Sequence, residues 1–311
     1  MDMPENIEQL YDEYLLPELR ELEKERKKIT AVFIAVSLIL IVIVAALAFL
    51  FHLGVIFVAV MLFGIGAYFF LHHISGKYVG SYKTKVLPEI VAYIDLSLKY
   101  SPTSFIDKAV FSESMIFPHP IDIYTGDDYV KGKIGSTKIE FSELDTEYFD
   151  IGPNGRQMPR TIFKGLFFVG DFNKKFAGST FVLPDTFIRK VVSKIKDGSY
   201  SYGEQVKLEN PEFEKYFASY SDDQVEARYI LSPSLMERIN TFRQKTGKKI
   251  SLSFIGSKVF IAVPFKKDLF EPRIFRTMLD IKPIEECYEN FKLMADVVED
   301  LDLNTRIWMK K

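Results

Sequence analysis

The sequence is short of the residues on which most polar chemistry depends. Its 311 residues include one cysteine, Cys287, and four histidines, His52, His72, His73 and His119. A lone cysteine excludes an internal disulfide and suits a reducing compartment. Three of the histidines fall in an apolar segment, and none stands beside cysteine or acid at ligand spacing, so no metal site is expected. Cys287 is flanked by Glu285, Glu286 and Glu289, which oppose a thiolate. It shares a helical face with Ile284 and Phe291, and a buried, inert thiol follows. The stretch from Gly126 to Lys133 is one residue too long for a P-loop and places Ile134 where Ser or Thr would hold magnesium. Asp127 and Asp128 would also repel phosphate, so a turn entering a hairpin is the better account and no cofactor is expected.

Charge is the second absence. No Asp, Glu, Lys or Arg occurs between Ile29 and Gly76. Within that span, Ala31–Phe51 has Ser37 as its single polar side chain, and Leu53–Leu71 is similarly apolar. At ~1.5 Å per residue each run reaches about 30 Å, the thickness of a hydrocarbon core. A signal peptide does not fit, because some thirty residues precede the first run and a second follows directly. A buried soluble helix pair is the competing account, disfavoured by two such runs in succession. His52 and Gly54 alone suit the connection, so the expectation is a tight transmembrane hairpin.

Basic residues flank it on one side. Lys24, Arg26, Lys27 and Lys28 precede the first span with Arg20, and Lys77, Lys83 and Lys85 follow the second. The tip has none, which places both termini and the main domain in the cytoplasm. Lys24, Arg26, Lys27, Lys28 and Lys77 are thus the membrane-flanking basic set, read as a topology signal in preference to a specific lipid site.

Four segments follow from these boundaries. Residues 1–30 form an amphipathic helical pre-segment, with Pro17 opening a helical turn. The hairpin covers 31–72, its spans being 31–51 and 53–71. A helical linker occupies 73–103, with an amphipathic helix over Tyr82–Tyr100 in which Val86-Leu87-Pro88-Glu89-Ile90 echoes Leu15-Leu16-Pro17-Glu18-Leu19. Residues 104–311 form an α+β domain of antiparallel β-hairpins and amphipathic helices. Its expected strands are Tyr129–Ile134, Thr137–Glu147, Thr161–Phe172, Gly178–Leu183, Lys249–Phe254 and Lys258–Phe265. Gly-Ser turns at 135–136 and 256–257 join two of these pairs. Expected helices are Phe105–Met115, Asp222–Leu231, Pro233–Lys245 and Ile284–Leu301. Acidic and basic residues nearly balance from 86 onward, which leaves no footprint for nucleic acid.

Acidic clusters are the remaining candidates. Asp127 and Asp128 form one; Asp222, Asp223 and Glu226 open a helix, where acids also complement the dipole. Glu143, Asp145 and Glu147 alternate on a strand, most simply as its exposed face. Phe163, Phe167 and Val169 point one way and Phe168 and Phe172 the other, as in a strand buried on both sides, unless a partner or lipid covers one side.

Several separated stretches resemble a bacterial membrane-protein family catalogued as domain of unknown function 3137. They are Phe111–Phe117, Gly126–Gly132, Ile162–Phe168 with Asp171–Asn173, Ser221–Leu231 with Pro233 and Met236–Arg238, Ile250–Phe254, and Asp268–Glu271. The resemblance implies a bacterial inner-membrane setting and the same anchor-plus-domain layout. It implies no assigned reaction, so it carries over no catalytic residues. A non-enzymatic binding or scaffold module is expected, in contact with the bilayer through both helices and with a protein, lipid or small ligand. An enzyme using the acidic clusters, or an assembly protein oligomerising through Gly64, Gly66 and Ala67, are the alternatives.

Overall fold

A computed structural model describes residues 4–50, 53–152, 155–172, 175–185, 187 and 201–304, with backbone alone at 47–50, 53–57, 59 and 71–74. Two compact units emerge. The first combines 1–93 with 270–288, and the second combines 94–269 with 289–311.

The first unit is helical. A turn α1 (Ile7–Leu10), capped by Asn6, widens into a π-helical turn at Tyr11–Leu15 and continues as α2 (Leu16–Leu50). The widened turn sits where the Pro17 ring would otherwise strike the carbonyl one turn back. Helix α3 (Leu53–Lys85) packs on α2, and α4 (Leu87–Ile94) follows. Both Leu-Pro-Glu stretches open a helical segment, with Leu19 and Ile90 fully buried. Lys85 Nζ near the end of α3 lies 2.7 Å from Glu18 near the start of α2. The amphipathic helix expected over Tyr82–Tyr100 is therefore divided: α3 runs through to Lys85, α4 ends at Ile94, and a short strand takes Lys99–Ser101.

Among the described residues, Ile7–Ala46 is the helical stretch long and apolar enough to cross a membrane, with 6% of its most apolar window buried. Ile34, Leu38, Ile41 and Val42 all face outward. A core helix of a soluble protein would bury these side chains. The tight link at His52 lies outside the described residues.

Among the described residues, the second unit is built on a nine-stranded antiparallel sheet in the order β1-β2-β3-β4-β9-β8-β5-β7-β6. Its strands are β1 (Lys99–Ser101), β2 (Ile123–Ile134), β3 (Thr137–Ile151), β4 (Gln157–Asp171), β5 (Ser179–Pro184), β6 (Glu204–Val206), β7 (Phe217–Ser221), β8 (Ser251–Ile255) and β9 (Lys258–Pro264). Both Gly-Ser turns stand where expected, between β2 and β3 and between β8 and β9. Asn304 Oδ1 braces the first turn, accepting from the Ser136 and Thr137 amides at 2.9 and 3.1 Å.

Alternation along β4 decides the layers. Phe163, Phe167 and Val169 enter one core with Phe260 and Ala262, beneath α5 (Lys108–Glu113) and its Phe111. Phe168 is buried on the opposite face, where Phe141 meets Phe291 of α9 (Lys282–Ala295). Burying one Phe contributes about 2 kcal/mol, so this doubly covered strand anchors the fold. Helices α6 (Pro211–Glu214), α7 (Gln224–Ile230) and α8 (Pro233–Thr246) follow the pattern of Asn, Asp and Ser N-caps. The C-terminal helix expected over Ile284–Leu301 breaks at Asp296 into α9 and α10 (Val297–Asp300), and the helix expected over Phe105–Met115 is reduced to α5.

Candidate functional site

The stretch Gly126–Gly132 is neither a phosphate loop nor a turn. It lies inside β2, whose pairing with β3 shifts between Asp127 and Val130. A bulge of this kind re-aims side chains. Asp128 is left-handed there (φ 56°), buried, and accepts the Tyr100 hydroxyl. Asp tolerates that conformation better than most residues. A Cβ on Gly126 would meet the Glu143 carbonyl at 2.4 Å, so glycine serves close strand packing.

Asp127 faces Glu143 across the ladder. The expectation that Glu143 lies on an exposed strand face is corrected: it is 5% exposed. Its Oε2 accepts the Leu269 amide at 3.0 Å, and its Oε1 has no hydrogen-bond partner among the described residues. Burial, opposed by the Leu269 hydrogen bond but reinforced by the charges of Asp127, Asp128 and Asp268, pushes the Glu143 carboxyl up to about 8. The next carboxylate on that face, Asp145, is 2.9 Å from Lys164 Nζ, which also reaches Asp268 at 2.8 Å. Alternation pointed to this group; burial of Glu143 depends on the distant residue Leu269 and has no local signal.

Asp222, Asp223 and Glu226 do converge, around a backbone turn. Asp222 Oδ1 accepts the Ser179 amide at 2.6 Å, and Glu226 Oε2 accepts those of Ala177 and Gly178 at 2.9 and 2.8 Å. Asp223 caps α7 through the Val225 and Glu226 amides. Asp222 and Glu226 therefore fasten the entry to β5, and Asp223 fastens the start of α7. Lys24, Lys27, Lys28 and Lys77 are exposed, whereas Arg26 is turned inward. Its guanidinium grips Glu23 at 2.7 and 2.8 Å and donates to the Ile274 carbonyl at 3.1 Å. Cys287 is buried beside the Tyr82 hydroxyl. Among the other single candidates, His119 stacks on Tyr148, and a Cβ at Gly64 or Gly66 would meet open space.

Away from α5, the same sheet face opens into a groove of about 580 Å³ lined by Lys99, Lys131, Lys133, Lys138 and Lys258, with Tyr129 and Val169 among its lining. Register sets the lysines against one another. Lys99 is the cross-strand partner of Lys131, and Lys133 of Lys138. Like charges directly opposite destabilise a ladder. Two carboxylates temper the groove: Glu140 accepts the Tyr129 hydroxyl, and Asp171 stands opposite Lys258, which also pairs with Glu113 at 2.8 Å. The balance remains positive above a partly apolar floor. A second, aromatic hollow of about 730 Å³ lies between Phe117, Phe163, Phe187 and Phe265. The lysine groove was missed in sequence because its members come from four strands whose register no local pattern discloses.

Residues 161–303 match the family model described as Protein of unknown function (DUF3137), which bears out the resemblance over that stretch. No curated protein matches the chain. Among solved structures, the crystal structure of the mycobacterial trehalose monomycolate transport factor A, TtfA, is similar at a TM-score of 0.35 and 9% identity, over 69% of this chain and 93% of that one. A likeness of that size carries neither fold nor function across.

Proposed function

We propose that this chain, DUF3137-like over residues 161–303, is a bacterial inner-membrane protein whose α+β unit binds an anionic ligand on the cytoplasmic side without chemical turnover. Both long helices cross the bilayer as a hairpin in this reading. The outward apolar side chains of α2 and the exposed lysines flanking the apolar runs support it. One observation carries the ligand class: two like-charged lysine pairs face each other across the β1–β2–β3 ladder around a single groove. An anion seated between them would relieve a repulsion that the fold otherwise tolerates at its own cost.

The test is calorimetric titration of the full chain in a zwitterionic detergent, with inorganic pyrophosphate and a short-chain phosphatidylglycerol as probes. Saturable binding that weakens with salt is expected, reduced about tenfold or more when Lys131 and Lys133 are changed to Glu. Binding by neither probe, or equal binding by the double variant, sinks the proposal.

A second reading has its own support, in the buried Glu143 carboxyl beside Asp127 and Asp128. A proton held near neutral pH is what an acid–base catalyst needs. If Glu143→Gln abolishes a cellular phenotype while folding and anion binding persist, the enzyme reading replaces the binding one.

A further inference from the structure

Within the helical unit, the chain between Phe270 and Ile281 forms neither helix nor strand, yet it is firmly held. Glu271 meets Lys83 Nζ at 2.7 Å, with the lysine side chain almost wholly buried. The Ile274 carbonyl accepts from Arg26 Nη1 at 3.1 Å and from the Thr30 hydroxyl at 3.3 Å. The Met278 amide donates to Glu23 Oε2 at 3.0 Å. The strap thus leaves α3, rises along α2 and turns back down it. Its apex is Phe275, whose ring stands edge-on to Phe33 with centroids 5.2 Å apart.

Phe33 is the third residue of the apolar run that begins at Ala31. The apex therefore reaches the first turn of the proposed span. Its ring is 66% exposed, next to the exposed Arg276. A lone surface Phe needs no explanation in general. This one is different in its place: buried polar contacts hold it beside an apolar helix face that itself lacks a covering partner. An aromatic ring with an adjacent guanidinium fits the boundary between acyl chains and phosphates.

We propose that the apex of the 270–281 strap is a second membrane contact, which seats the Phe275 ring among the upper acyl segments and Arg276 among the phosphates of the leaflet that α2 enters. The partner is phospholipid, and the inference rests on the reading of α2 as a membrane span.

The experiment uses the full chain with its single tryptophan removed (Trp308→Phe). Phe275→Trp and, separately, Leu38→Trp report from the strap and the span after reconstitution in phosphatidylcholine–phosphatidylglycerol vesicles carrying bromine high on the acyl chain. Emission from both is expected to fall at least twofold against unbrominated vesicles. Quenching of Leu38→Trp alone overturns the strap contact and leaves the anchor intact; quenching of neither overturns the anchor. A substitution-free check photolabels the native chain with a lipid bearing an acyl-chain diazirine. Lipid-modified peptides containing Phe275 are expected, and labelling confined to residues 31–72 overturns the proposal.

Discussion

Asp127 and Glu143 stand directly opposite one another on β2 and β3, and the second of them is buried with one oxygen lacking a partner among the described residues. Burial, reinforced by the neighbouring acidic charge, favours the neutral form of Glu143. Between its ordinary value of 4.5 and about 8, the folded Glu143 is protonated while the unfolded one is not. The folded state binds more protons in that window, so stability falls as pH rises through it and levels off above 8. Glu143→Gln keeps the shape and removes the penalty. The variant is expected to match the parent near pH 4.5 and to exceed it by about 2–4 kcal/mol above pH 8. Thermal midpoints of both proteins across that range decide it; parallel curves would refute the assignment.

Glu23 has the opposite environment and the opposite sign. Hydrogen bonds from the Arg26 guanidinium, helped by the Met278 amide and opposed by burial, hold its carboxyl down at about 2. Such a group stabilises the fold at pH values above its unfolded value of 4.5 and loses that contribution as pH falls toward 2. Glu23→Gln leaves Arg26 largely buried without its counter-charge, at a cost of about 2–3 kcal/mol near pH 7. The deficit against the parent should narrow as pH falls from 5 toward 2. Thermal scans at three pH values measure it, and a deficit that stays constant is the contrary result.

The two carboxylates also mark where a one-dimensional sequence stops being informative. Turn chemistry at Gly135-Ser136 and Gly256-Ser257 and the two-sided burial of Phe167 and Phe168 are local, and each was legible in residue order. Glu143 looked like an exposed residue because its burial depends on Leu269, 126 positions later. Arg26 read as one of the membrane-flanking basic set, and its inward turn was hidden because its partner beyond the helix is the Ile274 carbonyl, 248 positions later. The break at Asp296 was hidden for a similar reason: this carboxylate is shared by Lys292, four residues earlier, and by the remote Lys245. The lysine groove required the register of β1, β2 and β3, which alternation constrains only to the choice of face.

That register gives a prediction in which stability and binding part company. Lys131 lies opposite Lys99 and close above the Tyr129 ring. Lys131→Gln relieves the repulsion from Lys99 but gives up the attraction of Glu140 opposite it on β3, so stability should change by less than about 0.5 kcal/mol, under about 2 °C in thermal midpoint. The same change should weaken pyrophosphate binding. A variant that loses both stability and affinity would mean that Lys131 is a packing residue; one that loses neither would remove it from the groove's function.

The last prediction concerns the strand on which both cores depend. Gly165 lies in the middle of β4 at φ 144°, paired with Leu144 on one side and Pro264 on the other. A Cβ there would come within 2.2 Å of the Val263 carbonyl oxygen and 2.6 Å of the Phe265 amide nitrogen, both backbone atoms of the neighbouring chain segment. Neither can retreat without breaking the Phe265 amide's hydrogen bond to the Lys164 carbonyl, which measures 2.9 Å. Gly155 offers the control: it too has a positive φ, 69°, but a Cβ added to it meets open space. Gly155→Ala therefore bears only the local conformational cost of about 1 kcal/mol. Gly165→Ala adds a steric clash between two central strands and should cost about 3 kcal/mol or more. Comparison of the two thermal midpoints in the full chain separates the contributions. Equal losses would mean that β4 and β9 can move apart at this point, and that the sheet is held together from its faces more than through this ladder.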